Sequence, residues 1–228
     1  MKIKAVATDV DGTLTDEKER ISCKAIEAIR NLEAKGISVI LASGNTLCVL
    51  KTLKNYIGCS GALICENGAV IEYKGNIKVF GKMDDAKVVL KRLKEKYNGK
   101  IVESWSNPYR LVDIALRRNI EKEKIIEVML DFPNLRLLDS GYAYHILSKE
   151  INKGNALKVA ADLMGLKVSE IAAIGDSETD IDMFKVAGYG IAVANSPNSL
   201  KAIAKHITSK EDGEGFFEAT ELILSIMI

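Results

Sequence analysis

The sequence predicts an α/β fold in which a parallel-sheet core is interrupted by a smaller α+β module. Three observations lead there. Short β-rich runs alternate with amphipathic helical patterns through the first third of the chain, that alternation gives way to helix–strand–strand units between residues 82 and 152, and it resumes after Lys153. Strand–helix repetition builds a parallel sheet with helices on its faces, whereas consecutive helix–strand–strand units favour an antiparallel sheet with both helices on one side. Residues 1–81 and 153–228 are therefore read as one core domain and 82–152 as an insert.

Lys4–Thr8 reads as the first strand. Ser22–Lys35 reads as a helix, with Ser22 as N-cap, an apolar stripe of Ile26, Ile29 and Leu32, and Gly36 as the stop. Ile37–Ala42 is a buried strand, Thr46–Ile57 a helix and Ala62–Cys65 a third strand. Ala69–Tyr73 and Ile77–Phe80 flank a Lys74-Gly75-Asn76 hairpin turn. The insert reads as helix Asp84–Lys96, strands Ile101–Trp105 and Tyr109–Ala115, helix Ile120–Leu130, and strands Arg136–Leu138 and Tyr142–Leu147. It holds 25 charged residues among 71, against 38 among the other 157, as expected of a thin module with one open sheet face. Beyond Lys153 follow helix Gly154–Met164, strand Ile171–Ile174, short helix Ile181–Ala187, strand Gly190–Val193, helix Ser199–Ala204 and a terminal helix near Phe217–Ile226.

The chain has 228 residues, 47% hydrophobic and 28% charged, with 3 Pro and 17 Gly, which excludes disordered and collagen-like classes. Its 32 basic and 31 acidic residues give a net charge of +1, so no overall field favours nucleic acid or an anionic membrane. No apolar run approaches the ~18 residues of a membrane span, and the start MKIKAVATDVDG lacks the apolar region of a signal peptide. A cytoplasmic monomer or homodimer is expected. The closing LILSIMI suits the last turns of a core-packed helix. Cys23, Cys48, Cys59 and Cys65 lack CxxC spacing and are expected to be buried structural thiols.

The chemistry-bearing residues sit where strands end. Asp9-Val10-Asp11-Gly12-Thr13 follows the first strand, and ligands of parallel α/β sheets bind beyond the carboxyl ends of the strands. Ser43-Gly44-Asn45 opens a helix whose free N–H groups suit an anionic oxygen. Lys153 starts a helix, where a cation opposes the dipole and calls for an anionic partner. Gly175-Asp176-Ser177-Glu178-Thr179-Asp180 places two carboxylates four residues apart after another strand. Taken singly, these also read as an Asp-Gly turn, an N-cap, a solvated lysine and a capping turn. Thr13 is placed to fix its turn, and Asn195, after the last strand, to complete a polar wall. In the insert, His145 is either a substrate contact or a solvated sheet residue, and Trp105 is read as packing.

Taken together and in order, DxDGT, a strand-terminal Ser, a helix-initial Lys and GDSxxD resemble the four motifs of the haloacid dehalogenase (HAD) superfamily of aspartate-nucleophile phosphatases. The insert resembles the α/β cap of its Cof-type branch, and Ser43-Gly44-Asn45 is similar to the archaeal phosphoglycolate phosphatase group. The resemblance implies a HAD-like Rossmannoid core with a C2-type cap. It also implies that Asp9 attacks phosphorus, Asp11 serves as acid and base, and Ser43, Gly44, Asn45 and Lys153 hold the phosphoryl group. Asp9, Asp176, Asp180 and the backbone carbonyl of Asp11 would organise Mg²⁺, with Asp180 orienting a ligand or pairing Lys153. The substrate would be a small phosphorylated metabolite, 2-phosphoglycolate first, whose carboxylate needs a cap donor such as His145 or Lys149. A sugar-phosphate phosphatase, a phosphomannomutase-like phosphotransferase and a phospho-aspartate receiver module are the rival readings.

Overall fold

The computed structural model describes residues 2–226, so Met227 and Ile228 of the apolar terminal segment lie outside the described residues. In chain order the elements are β1 (Ala5–Thr8), α1 (Cys23–Ala34), β2 (Ser38–Ala42), α2 (Leu47–Ile57), β3 (Leu63–Cys65), β4 (Val70–Tyr73), β5 (Asn76–Val79), α3 (Asp84–Tyr97), β6 (Ile114–Arg117), α4 (Lys122–Met129), β7 (Leu135–Asp139) and β8 (Ala143–Ser148). There follow α5 (Lys153–Met164), β9 (Ile171–Gly175), α6 (Ile181–Val186), β10 (Tyr189–Ala192), α7 (Asn198–Lys201), β11 (His206–Ile207) and α8 (Asp212–Ile226).

Eight strands form one sheet in the order β11-β10-β9-β1-β2-β3-β4-β5. The first six pair in parallel, while β4 and β5 close one edge as an antiparallel hairpin. β1 is central, with Thr8 aligned to Leu41 of β2 on one side and Ile174 of β9 on the other. The chain leaves β1 in one direction and returns on its opposite flank, which makes the carboxyl edge between β1 and β9 a crevice.

Alternation along the strands divides the core into two layers. Val6, Val39, Leu41 and Ile174 pack with Ile29 and Leu32 of α1 and Phe216 and Ile223 of α8. Ala5, Ala7, Ile40, Ala42 and Ala173 pack with Ala156, Leu157, Ala160 and Ala161 of α5 and with Met183 and Phe184 of α6. Small residues on both the strands and α5 let that helix lie close to the sheet, which brings its first residue, Lys153, to the end of β1.

The other sheet, β6-β8-β7, is antiparallel and packs one face on α3 and α4 through Val89, Leu93, Ile114, Leu116, Ile125, Tyr144 and Ile146. The strand expected over Ile101–Trp105 is reduced to one bridge between Glu103 and Leu116. The chain then turns into a short 3₁₀ segment, Asn107–Tyr109, whose Pro108 has no N–H to give a ladder. Residues 109–113 are not strand either: the N–H groups of Leu111, Val112 and Asp113 bond the Glu66 carboxylate of the core. The terminal helix starts at Asp212 rather than near Phe217, its first turn carrying Asp212 and Glu214 at the positive end of the dipole. Cys59 and Cys65 are buried as expected, but Cys23 and Cys48 are exposed. Among the described residues, no helix is long and apolar enough to cross a membrane.

Candidate active site

Two neighbouring strands deliver the acidic residues to one place. Asp9 follows β1, and Asp176 and Asp180 follow β9. One ligand oxygen from each lies within 4.8 Å of the others. Gly12 has φ +78°, and a Cβ there would run into the Asp176 carboxylate, so only glycine permits this turn. Thr13 donates its hydroxyl to Asp176 Oδ1 at 2.7 Å, tying the turn after β1 to the one after β9. Lys153, 2% exposed, places Nζ 3.0 Å from Asp9 Oδ2 and 2.7 Å from Asp180 Oδ1. Burial alone would depress the ammonium, but the Asp180 and Asp9 carboxylates hold it above the ordinary lysine range. Burial, with Asp180 next, pushes Asp9 well above the usual carboxylate range and Asp176 up to about 7.

This cluster fits a hard divalent cation. Three carboxylates, two of them buried and one half-buried, face a single ammonium, and the raised titration of Asp9 and Asp176 marks a deficit of positive charge at a set of oxygen donors. Asp9 and Asp176 are the better ligands. Asp180 is already engaged at both oxygens, by Lys153 on Oδ1 and by the N–H groups of Asp176 and Ser177 on Oδ2. In this structure Asp180 is thus paired with Lys153. The Asp11 carboxylate stands outside the cluster, leaving only its backbone carbonyl for the metal role.

Asp11 belongs instead to a second group. Asn45 donates Nδ2 to Asp11 Oδ2 at 2.8 Å, and Ser43 approaches the same oxygen at 3.4 Å. Burial pushes the Asp11 carboxyl up, favouring the protonated form that an acid requires. Ser43 is fully buried and spends its hydroxyl within the group, so it positions Asp11 and Asn45 in this structure. Gly44 and Asn45 line a cavity of about 290 Å³ together with Asp9, Asp11 and Lys153. Asn195 does not form part of its wall. It is exposed and donates Nδ2 to the Gly12 carbonyl at 2.9 Å, bracing the turn from outside.

The insert roofs the cavity with the open face of its sheet. The alternation that sends Tyr144 and Ile146 into the insert's own core turns Ala143 and His145 toward the site. His145 is buried at 3% exposure, not solvated, and its Nδ1 lies 2.7 Å from Asp113 Oδ2. Lys149, the other expected donor, is exposed and does not line the cavity. Trp105, expected to pack, is 66% exposed at the cavity wall, edge-on to Tyr109.

Sequence reasoning missed four residues here. Arg110, 8% exposed, donates Nη1 to Asp113 Oδ1 at 2.5 Å and to the Gly44 carbonyl at 3.0 Å, and Nε to Ser106. Burial would raise Asp113, but His145 and Arg110 outweigh it and hold the carboxyl below its ordinary value. Glu66 and Asn67, both buried, occupy consecutive left-handed positions at φ 48° and 58°. The Arg110-x-x-Asp113 spacing was visible as a charge pair, but in a segment read as strand nothing directed it to the site.

The fold and site define a capped α/β enzyme that gathers carboxylates and one buried lysine at the carboxyl edge of a parallel sheet. The sequence profile of the haloacid dehalogenase-like hydrolases matches residues 6–104 and 91–219. Phosphoglycolate phosphatase of Archaeoglobus fulgidus is 43% identical over 227 residues, covering 97% of each chain. That of Methanothermobacter thermautotrophicus is 36% identical, covering 95% of this chain and 97% of its own. A crystal structure from Thermoplasma acidophilum superposes with a TM-score of 0.88 at 29% identity, covering 98% of this chain and 99% of that one. The chain belongs to the haloacid dehalogenase-like hydrolase family and is a phosphatase.

Proposed function

We propose that this phosphatase is Mg²⁺-dependent, works through an aspartyl-phosphate intermediate, and hydrolyses 2-phosphoglycolate to glycolate and phosphate. The observation that carries the mechanism is the buried Lys153 between Asp9 and Asp180, with Asp176 alongside. A phosphate dianion repels an attacking carboxylate, and this arrangement supplies the offsetting charge where the phosphoryl oxygens would lie. Mg²⁺, held by Asp9, Asp176 and the Asp11 backbone carbonyl, supplies further neutralisation when bound. The Asp9 carboxylate attacks phosphorus as the ester P–O bond breaks, and Asp11 gives its proton to the departing alkoxide. Asp11, now a carboxylate, takes a proton from the water that attacks phosphorus in the second step, which releases Asp9 and inorganic phosphate.

The substrate reading draws support from the relatives named for phosphoglycolate and from the cationic side chain in the roof, which suits a second anionic end. The test is phosphate release with Mg²⁺ from two-carbon, three-carbon and hexose monophosphates. Phosphoglycolate should give the highest kcat/KM. Preference for a neutral hexose phosphate would instead make the protein a sugar phosphatase, and transfer to a second sugar hydroxyl without free phosphate would make it a phosphotransferase.

A further inference from the structure

Two groups of polar side chains line the cavity, Asp9, Asp11 and Lys153 in one and Arg110, His145 and Asn67 in the other. Their hydrogen-bonding polarity differs, and it sorts which group of a substrate each can receive. Asp113 is held in its carboxylate form and so can only accept. The proton of the His145–Asp113 bond therefore sits on Nδ1, and Nε2, on the cavity side, has no protein partner among the described residues. Asn67 Oδ1 is buried without a hydrogen-bond partner among the described residues. Both atoms point at one notch: a Cβ built on Gly44 would meet Asn67 Oδ1 and His145 Nε2, each at 3.2 Å. Asn67 Oδ1 can only accept, so its side of this notch welcomes a donor, such as a hydroxyl or water.

Arg110 is the opposite. Its charge is permanent, Nε and Nη1 are committed to Ser106, Asp113 and the Gly44 carbonyl, and Nη2 has no protein partner among the described residues. Asp113 and Ser106 fix the guanidinium plane, so the free edge is preorganised rather than searching. We infer that Arg110 is the specificity residue that binds the carboxylate of the substrate through Nη2. This rests on the phosphoglycolate reading and changes the donor expected for it, since neither His145 nor Lys149 is then the carboxylate ligand.

The experiment compares kcat/KM for 2-phosphoglycolate and for ethyl phosphate, in which a methyl group replaces the carboxylate, in the wild-type protein, Arg110→Gln and His145→Gln. The wild-type protein should prefer phosphoglycolate. Arg110→Gln should lower the ratio of the two by about ten- to a hundredfold, the range of one charge-assisted contact, while His145→Gln keeps the ratio within about threefold of wild type. Thermal unfolding monitors folding, and if Arg110→Gln does not fold, Arg110→Lys carries the test. It keeps the charge beside Asp113, but its ammonium cannot serve Ser106, Gly44, Asp113 and substrate together, so the ratio still falls. A wild-type ratio in the Arg110 variant, or a fall confined to His145→Gln, overturns the assignment alone. No wild-type preference for phosphoglycolate overturns the substrate reading, and the assignment with it.

Discussion

Lys153→Met exposes the electrostatic balance of the site most directly. Methionine keeps the length and the apolar stem but removes a charge that lies 3.0 Å from Asp9 and 2.7 Å from Asp180. Removing one partner of a buried ion pair costs about 3–5 kcal/mol, because the group left behind is uncompensated. Two groups are left here, but Asp9, already pushed upward by burial, can relieve part of the cost by taking a proton. We expect a loss of about 3 kcal/mol at pH 8 in metal-free protein, read from urea unfolding, and a smaller loss at pH 5, because lower pH favours protonation of Asp9. Adding Asp180→Asn should recover stability. The asparagine carbonyl can still accept from the N–H groups of Asp176 and Ser177, as Asp180 Oδ2 does at 3.2 and 3.1 Å. The double variant should therefore be more stable than the sum of the single losses by at least about 1 kcal/mol. Additive losses would refute the idea that Lys153 stabilises by pairing these acids. Phosphate release should fall by about 10²–10³-fold or more in Lys153→Met, because a preorganised cation is lost beside the phosphoryl group.

Asp9→Asn should abolish turnover with little change in the unfolding midpoint, because the amide fills the same space but cannot attack phosphorus; near-normal phosphate release would remove Asp9 as nucleophile. Asp11→Asn should separate the half-reactions with p-nitrophenyl phosphate, giving a burst of at most about one equivalent of nitrophenolate, then slow turnover; wild-type kinetics without a burst would contradict its role as base. Metal-free protein should lose stability as pH rises from about 4 to about 7, because Asp9 and Asp176 titrate higher folded than unfolded and the folded state therefore binds more protons across that window. Mg²⁺ should raise the melting temperature more at pH 8 than at pH 5, where protons compete for the same carboxylates; equal shifts at both would place the ion elsewhere.

The core was legible because its signals are local. A Val6 or an Ile40 declares its face by alternation, and the DxDGT and GDSxxD strings sit at strand ends that the pattern locates. Residues whose role depends on the other module were not legible. Glu66 follows β3 and looks like an ordinary turn acid, yet its partners lie in the 111–113 loop. His145 reads as one polar residue in an alternating strand, and only the placement of the roof decides whether its face meets water or substrate. Asn195 misled for a related reason, since its distance from β10 predicts proximity to the turn after β1 but not which side of that turn it braces. The segment from Tyr109 to Asp113 carried β-forming residues, but the backbone donors of Leu111, Val112 and Asp113 were taken by a carboxylate more than forty positions away.

The grip of Glu66 on the roof bears on how such proteins can be recombined. The roof's backbone is wired to a core side chain by N–H bonds of 2.9, 2.9 and 3.2 Å, and Arg110 ties back to the Gly44 carbonyl. The residues that make the connection, Glu66 and Asn67, hold left-handed backbone conformations that cost about 1–3 kcal/mol each unless neighbouring contacts compensate. A chimera spliced only at the two chain crossings would graft a foreign loop onto a buried carboxylate with no donors and a strained turn with no support. A transplantable roof would therefore have to carry the turn at 66–67 and the glycine at 44 with it, stretches that are separate in sequence and act as one piece.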